Sequence, residues 1–451
     1  MTFPVYPEYK YSGNEWLGKI PSHWHVKPVK YHLREGYAGL KIGPFGSQLT
    51  SDMLDDGGEF KVYGQENVIS GDFSRGNRYI NSQKFHELLV YEICSGDILI
   101  TMMGTSGRCD VVPECIKTGV MDSHLIRVRT NENLLPEFLQ IIIDKAFYVA
   151  CQVKADGKGS IMHGLNSSIV KNLIITSPDI SEQKKILNFL NYETSKIDEL
   201  IDEQQQLIEL LNEKRQSVIS NAVCRGLHPD VPMKDSGVKW LGFVPEHWSV
   251  KALKHIVSIP ITDGPHETPE FIDEGVPFVS AEAVSSGVVD FAKIRGFISR
   301  ESHEKYSLKY APKRGDIFLV KSGATTGVCA IVETDDEFNI WSPLAVVRCM
   351  DEIEPQFVLN YMRSLNFQEA IALNWNFGTQ QNIGMGVIEN LMLPVPPHHE
   401  QIEILKMLRG FLNESNALIS EASKGIALLT ERRSALISAA VCGHIDVRAV
   451  E

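Results

Sequence analysis

The sequence predicts an α+β protein: a tandem duplication of two mixed α/β domains separated by two long antiparallel coiled-coil helices. Three observations predict it. Residues Glu182–Cys224 repeat apolar side chains at helical spacing without one Pro or Gly. The same stretch returns from Glu400 to Cys442. The segments that precede the two stretches also echo one another, about 220 residues apart. The expected boundaries are 1–181 for the first globular domain, 182–226 for the first helix, 227–399 for the second domain and 400–446 for the second helix.

In the first stretch Ile186, Leu190, Ile197, Leu200, Ile201, Leu207, Ile208, Leu211, Val218, Ile219 and Ala222 recur mostly at steps of three and four. That is the period of a helix burying one stripe against partner helices. Gly226 lies where a C′ glycine belongs. At 1.5 Å per residue the helix would be roughly 60–65 Å long, a rod rather than a core element. In the second copy Glu182, Gln183, Ile186, Leu190, Leu200, Ile208 and Leu211 return as Glu400, Gln401, Ile404, Leu408, Leu418, Ile426 and Leu429. Two copies of one amphipathic helix bury their stripes against each other, antiparallel if the intervening domain folds the chain back. Two ordinary core helices are the bland alternative; length and duplication argue against it.

Ahead of the first rod, Trp16, Pro21, His23, Trp24 and Lys27 recur as Trp240, Pro245, His247, Trp248 and Lys251. Two Trp around a Pro read as a packing clip, with His23 and His247 as its hydrogen-bonded helpers. From Lys41 to about Val128, KIGPFGSQL, KVYGQENVISGDF, GDILITMMGTSGRCDVV and HLIRVR read as short strands joined by glycine turns. The second half answers from Arg314, with Gly96-Asp97-Ile98 matching Gly315-Asp316-Ile317, Gly104 matching Gly323, Gly107 matching Gly327 and Cys109 matching Cys329. Helical stretches follow at Pro136 and Pro355. Polar loops come next at Lys158–His163 and Phe377–Asn382, and a last strand leads into each rod.

At 451 residues the chain holds two or more domains. No run of about eighteen apolar residues implies a membrane span, and the first residues lack a signal pattern; a cytoplasmic protein is expected. The eight cysteines form no CxxC and no metal-spaced Cys/His cluster, so unpaired thiols are expected. Net charge is −13. Residues 1–181 carry 18 Lys and Arg against 20 Asp and Glu, and residues 227–399 carry 14 against 22. Such acidity does not exclude a local basic face, but it makes nucleic-acid binding by the chain alone weak and salt-sensitive.

No GxxxxGK[ST] loop, no helix-opening GxGxxG and no Asn-Pro-Pro-aromatic motif is present. Pro178, Asp179, Glu182 and Lys184 mimic a metal-nuclease set. Their carboxylates are too close in sequence for adjacent strands, and Asp179 or Ser181 is better read as an N-cap. What the loops do carry is side chains suited to base edges and phosphates. In the first domain these are Lys41, Ser47, Gln48, Gln65, Asn67, Arg75, Arg78, Thr105, Ser106, Arg108, Lys158, Ser160 and His163. In the second they are Lys321, Ser322, Thr325, Thr326, Thr379, Gln380, Gln381 and Asn382. Any one of them alone reads more readily as a solvated loop residue than as a base reader; the signal is their grouping at equivalent places.

The order of these features resembles the specificity subunit of type I restriction–modification systems. The carrying residues are Gly43-Pro-Phe-Gly-Ser47, Gly96-Asp-Ile98, the Gly104–Gly107 loop, Leu393-Pro-Val-Pro-Pro397 before Glu400-Gln401, and the two long helices. Phe45 and Gly46 have no clear counterpart near Asp263-Gly-Pro-His266. The resemblance implies that the globular parts are target-recognition domains, each reading half of a bipartite asymmetric site on double-stranded DNA. It implies that the helices set the spacing and dock modification (methyltransferase) subunits, through Leu207, Leu211, Val218, Ala222, Ile426, Leu429, Leu436 and Ala440. It implies no catalysis and no cofactor in this chain, with S-adenosylmethionine, ATP and Mg²⁺ on partners that include a restriction/translocase subunit. Two rivals stand beside it: a stand-alone DNA-modifying enzyme, which would need a catalytic motif, and a structural coiled-coil scaffold, which would not need two large domains with diverged loops.

Overall fold

Both apolar stripes fold as continuous helices. In this computed structural model, which describes residues 3–104, 107–156, 165–374, 376–377 and 381–449, the first runs Ile180–Arg225 and the second His398–Val441. The bounds differ from expectation for local reasons. Asp179 caps the first helix, its Oδ1 accepting the Glu182 N–H at 2.8 Å, so the helix opens directly after the cap. The second opens after Pro397, whose carbonyl accepts the Gln401 N–H at 3.2 Å. Gly226 closes the first helix in the left-handed region at φ 76°, as its position predicts. Gly443, at φ 77°, ends the second earlier than expected, and residues 442–449 leave the helix axis.

The chain divides into two compact units, residues 1–204 with 424–451 and residues 205–423. Each unit thus holds one globular half, the first part of the helix that follows it, and the last part of the other helix. In the first unit the helix segments pair antiparallel: Arg433 and Asp198 form an ion pair at 2.8 Å, and Gly425 lies beside Gln204. In the second, Arg215 donates to Asn416 at 3.2 Å. The stripes also enter the domain cores. Ile186, Leu190, Ile197, Leu436, Ile437 and Ala440 pack with Trp24, Ile100, Phe138 and Ile142. Ile219, Ala222, Val223, Ile404 and Leu408 pack with Trp248, Leu319, Phe357 and Tyr361. Burial of each large side chain stabilises its unit by roughly 1.5–3 kcal/mol.

The duplication extends to sheet topology. Each unit has a four-stranded antiparallel sheet. Its order is Leu40–Ile42, Leu125–Val128, Ile98–Thr101, Cys109–Val111 in the first unit and Thr262–Asp263, Leu344–Val347, Ile317–Val320, Cys329–Ile331 in the second. A three-stranded sheet accompanies each: Tyr79–Ile80, Phe60–Tyr63, Gly119–Met121, and Gly296–Ile298, Val276–Val279, Asn339–Ile340. In both, the last strand pairs parallel with the middle one. The register aligns the Gly-Pro pairs of the two halves, while Phe45 and Gly46 keep no counterpart. Gly43-Pro44 and Gly264-Pro265 both follow the first strand of the four-stranded sheet. A Cβ on Gly43 would lie 1.8 Å from the Asp122 carbonyl oxygen, and one on Gly264 would lie 2.1 Å from that of Ile340. Only glycine allows that approach.

Not every short segment is a strand. Gln65–Ser70 is a helix: Asn67 Oδ1 accepts the Gly64 N–H at 3.0 Å and secures its first turn. The helical stretches after Pro136 and Pro355 each break in two, Pro136–Lys145 with Phe147–Asp156 and Pro355–Met362 with Leu365–Leu373.

The Trp clips close each domain onto its rod. Trp24 and Trp248 are fully buried, whereas Trp16 is half exposed. His23 meets Glu182 at 2.9 Å and His247 meets Glu400 at 2.7 Å; each carboxylate lies in the first turn of a long helix. The Trp248 indole N–H donates to Glu400 at 3.0 Å. In the first unit the Tyr6 hydroxyl takes that role, donating to Glu182 at 2.7 Å. The next residue works identically twice. Gln183 accepts the Leu135 N–H and Gln401 the Glu354 N–H, both at 2.8 Å.

Candidate nucleic-acid interface

Strand register decides which loops meet. In the first unit Ile42 pairs with Ile126, Leu125 with Thr101, and Ile100 with Cys109. The loops after Ile42, after Thr101 and before Leu125 therefore leave one end of the four-stranded sheet. Gly43 N–H donates to the Leu125 carbonyl at 3.0 Å and Met102 N–H to that of His124 at 3.0 Å. Leu165 N–H donates to the Met102 carbonyl at 3.1 Å, which brings Leu165 to the same place. Three of the expected residues are Lys158, Ser160 and His163. Those three residues, with Thr105 and Ser106, lie outside the described residues.

Of the described candidates, Ser47 and Gln48 are exposed at this end. Gln48 Oε1 accepts from the Phe45 N–H at 3.2 Å and from the Tyr91 hydroxyl at 3.0 Å, so its amide oxygen is held within the loop. The Lys41 ammonium lies 5.2 Å from the Tyr91 ring centre. Arg108 is exposed beside Asp144, at 3.3 Å. Arg78 is clamped by Glu66 at 2.6 Å and Asp122 at 3.1 Å, one carboxylate on each terminal nitrogen, which fixes its guanidinium and balances its charge. Gln65 is half-buried next to that clamp, and its Oε1 has no hydrogen-bond partner. Arg75 is exposed.

Asn67 is a correction. It is fully buried, and its amide donates to the carbonyls of Asp72 and Arg75 at 3.0 and 2.8 Å. It shapes the loop that presents Arg75 and cannot reach a base.

The second unit repeats the arrangement with different side chains. Lys321, Ser322, Thr325 and Thr326 follow the strand Ile317–Val320 at the equivalent end. Ser322 bridges Asn382, and Ile383 N–H donates to the Lys321 carbonyl at 2.8 Å, so the two expected loops do meet. Asn382 is exposed; Thr379 and Gln380 lie outside the described residues, and Gln381 is placed as the start of a short strand. The Thr326 hydroxyl donates to the Gly323 carbonyl at 2.7 Å and shapes the turn.

Several residues around the expected Lys321 escaped the sequence reading. Lys309 joins Lys321 on the two oxygens of Asp263, at 2.6 and 2.7 Å, and His266 approaches the carboxylate at 3.3 Å. Lys305 pairs with Glu267 at 2.6 Å. Burial would raise the Asp263 carboxyl, but hydrogen bonds from Lys309 and Lys321 outweigh it and hold the group below its ordinary value. The result is a cationic cluster around one buried carboxylate. Lys321 and the Gly-Pro pair at 264–265 were its sequence signals.

The expected docking residues need a second correction. Ala222, Leu436 and Ala440 are buried in the domain cores, and Val218 and Leu429 pack against those cores. Their apolar faces are used within the chain. Leu207 is 42% exposed, and Leu211 and Ile426 are half-buried. Leu200, Leu210, Leu418 and Leu428 are exposed and were not singled out. They form two repeat-related pairs, Leu200 with Leu418 and Leu210 with Leu428.

Among the described residues no group of three or more His, Cys, Asp or Glu could hold a metal ion, and no helix is long and apolar enough to cross a membrane. All eight cysteines are free.

Comparison with known proteins agrees with this duplicated architecture. The family model described as the type I restriction modification DNA specificity domain matches twice, at residues 46–210 and 245–427. The chain is 22% identical over 442 residues to the type I restriction enzyme MjaIX specificity subunit of Methanocaldococcus jannaschii, covering 96% of this chain and 95% of that one. It is also 22% identical over 361 residues to the EcoBI specificity subunit of Escherichia coli, covering 77% of this chain and 74% of that one. Among solved structures, a chain reported under complex assembly and conformational transition of the type I R-M system matches with a TM-score of 0.67 at 17% identity, covering 94% and 98% of the two chains. The HsdS subunit from Thermoanaerobacter tengcongensis matches at 0.51 and 16%, with the same coverage. With both halves matched by the family model, the chain belongs to the type I restriction–modification DNA specificity subunit family.

Proposed function

We propose that each globular half reads one half of a bipartite, asymmetric site on double-stranded DNA, and that the helix pair fixes the distance between the half-sites. The observation that carries this is the pair of sheet ends: one strand frame, two sets of polar loops. The frame repeats down to Gly43 and Gly264, while the side chains it presents differ. Gln48, Arg75 and Arg78 in one half, and Lys321, Lys309 and Asn382 in the other, have the donor and acceptor types that read base edges and phosphates.

The chain carries no catalysis of its own in this reading and works in the cytoplasm. Adenine methylation needs the base flipped out of the duplex. Modification subunits bearing S-adenosylmethionine perform it, and a restriction/translocase subunit uses ATP and Mg²⁺. The exposed leucine pairs Leu200/Leu418 and Leu210/Leu428, with Leu207, are the surface for two copies of one modification subunit, because each pair repeats the same environment.

Methylation mapping tests the reading. Genomic DNA from cells carrying this chain with its modification partner is compared with DNA from cells lacking the chain. A split motif that disappears with the chain is expected. Unchanged methylation from an otherwise active modification partner would refute it. Methylation of DNA by the purified chain with S-adenosylmethionine alone would favour the stand-alone enzyme.

A further inference from the structure

Against the four-stranded sheet of the first unit lies a cavity of about 430 Å³, lined by Lys41, Glu92, Cys94, Arg127 and Arg129 together with Leu89 and Val90. Lys41 and Arg127 are registered partners on adjacent antiparallel strands. Like charges directly opposite each other destabilise a sheet, so the pair calls for an explanation.

Arg129 has a structural one. It forms a bidentate ion pair with Asp97, at 2.6 and 2.9 Å. The second unit keeps that pair as Arg348 with Asp316, at 2.7 Å in both contacts. The added cations are not kept. By the same strand register Lys41 corresponds to Thr262 and Arg127 to Val346. The fold therefore does not require them.

Arg127 is only 4% exposed. Its Nη1 donates to the Glu92 carbonyl, and its Nε has no hydrogen-bond partner. Burial, and then the neighbouring Arg129 charge, disfavour its ionised form, yet a guanidinium does not give up its proton in proteins. Against the three cations stand the carboxylates of Asp97 and Glu92, which leaves an excess positive charge around a concavity of ligand size. A phosphate oxygen is the group whose charge and acceptor geometry match clustered Arg and Lys.

We propose that this cavity binds a phosphate group, carried either by the DNA backbone or by a free phosphate ligand. The DNA alternative rests on the recognition function proposed above, and the free-ligand alternative does not. Gln48 marks the proximity to the reading loops, since Tyr91 joins its amide to the rim of Lys41. A backbone phosphate held here would position the first half-site without contributing sequence preference.

The test uses the full chain with its modification subunits and two variants, Lys41→Thr and Arg127→Val, each placing the second unit's residue at its own strand position. Salt dependence of DNA binding is measured beside a titration of the chain with inorganic phosphate followed by ³¹P line broadening. A decrease of about one in the slope of log affinity against log salt, with the base preference unchanged, assigns the cavity to the DNA backbone. An unchanged slope together with loss of the wild-type phosphate titration assigns it to a free phosphate ligand. If both readouts match wild type in a folded variant, the proposal is overturned. Arg127→Lys keeps the charge and should retain most of the effect; should Arg127→Val fail to fold, Lys41→Thr decides alone. A wild-type complex without preference for any DNA sequence would sink the recognition reading, while the phosphate titration would still decide on the cavity.

Discussion

Replacing Gly443 by alanine should open the end of the second long helix far more than the same change at Gly226 opens the first. Both glycines follow a helix at nearly the same angle, φ 77° and 76°, so both variants incur the cost of a left-handed non-glycine residue, about 1–2 kcal/mol. Their surroundings differ. A Cβ on Gly443 would lie 2.3 Å from Pro21 Cδ, 2.6 Å from Pro21 Cγ and 3.1 Å from the Trp24 ring, whereas one on Gly226 comes no nearer than 3.2 Å, to Trp248, with Pro245 Cγ at an ordinary 3.9 Å. The Pro21 ring is fused to its own backbone and cannot swing aside. Overpacking of that kind adds about 1–3 kcal/mol, which brings Gly443→Ala to about 2–5 kcal/mol and leaves Gly226→Ala near the strain alone.

The chain supplies its own reporters. Cys442 and Cys224 lie beside the two glycines, and both are buried. Thiol labelling read by mass spectrometry measures local opening at each. At a factor of ten per 1.4 kcal/mol, Cys442 in Gly443→Ala should label about 30-fold to several thousand-fold faster than wild type, and Cys224 in Gly226→Ala about 5- to 30-fold faster. Equal acceleration of the two cysteines, or the reverse order, would refute the argument from the Pro21 contact.

Three further outcomes are expected. Asp263→Asn removes the charge that holds Lys309 and Lys321, so DNA binding by the assembled complex should become steeper in salt by one to two units of slope and less sequence-selective; an unchanged slope would show that neither lysine faces DNA. Burial would raise the Glu400 carboxyl, but hydrogen bonds from the Trp248 indole and His247 hold it below the usual glutamate value. Its stabilising contribution is therefore complete above the ordinary glutamate range and lost as pH falls through the lowered value. Urea midpoints followed by Trp fluorescence should fall on acidification in wild type more than in Glu400→Gln, and parallel decreases would remove Glu400 from the account. Inserting four residues in both long helices, after Gln204 and before Lys424, adds about 6 Å along each. That should lengthen the unspecified spacer by one to two base pairs of about 3.4 Å in methylation maps. The bases read should not change, and a fixed spacer would sink the idea that the helices set the distance.

Much of the scaffold was legible because it repeats. A heptad-like stripe, a cap at Asp179, a glycine at 226 and two Trp clips carry strong local rules, and each appears where those rules put it. The site was legible only in outline. Lys321, Ser322 and Asn382 do converge, because loops at a shared sheet end follow from strand order. Asn67 was misread because a side chain that shapes its own loop has the same chemistry as one that reads a base; only its complete burial separates the two. Gln65–Ser70 passed for strand because its helix depends on the hydrogen bond between Gly64 and Asn67 rather than on periodicity. The docking stripe failed for a different reason. Apolar spacing says that a face will be covered, not by what, and Ala222, Leu436 and Ala440 are covered by their own domains. The cluster around Asp263 draws on three separate segments, the one holding Asp263 and His266 and those holding Lys309 and Lys321, which no single window of sequence brings together.

The tail of the second long helix gives the first unit an unusual history. Leu436, Ile437, Ala440, Val441, Ile445 and Val447 complete its core, and the Thr176 hydroxyl donates to the Val441 carbonyl at 2.6 Å within it. On the ribosome these residues follow Gln204 by well over 200 positions, a delay of roughly 10–45 s at ordinary elongation speeds of 5–20 residues per second. The second unit, by contrast, is contiguous and can close as soon as it has emerged. The half begun first is therefore finished last. Throughout that interval its unfilled core, with Trp24, Phe138 and Ile142, is the part of the nascent chain most in need of a chaperone.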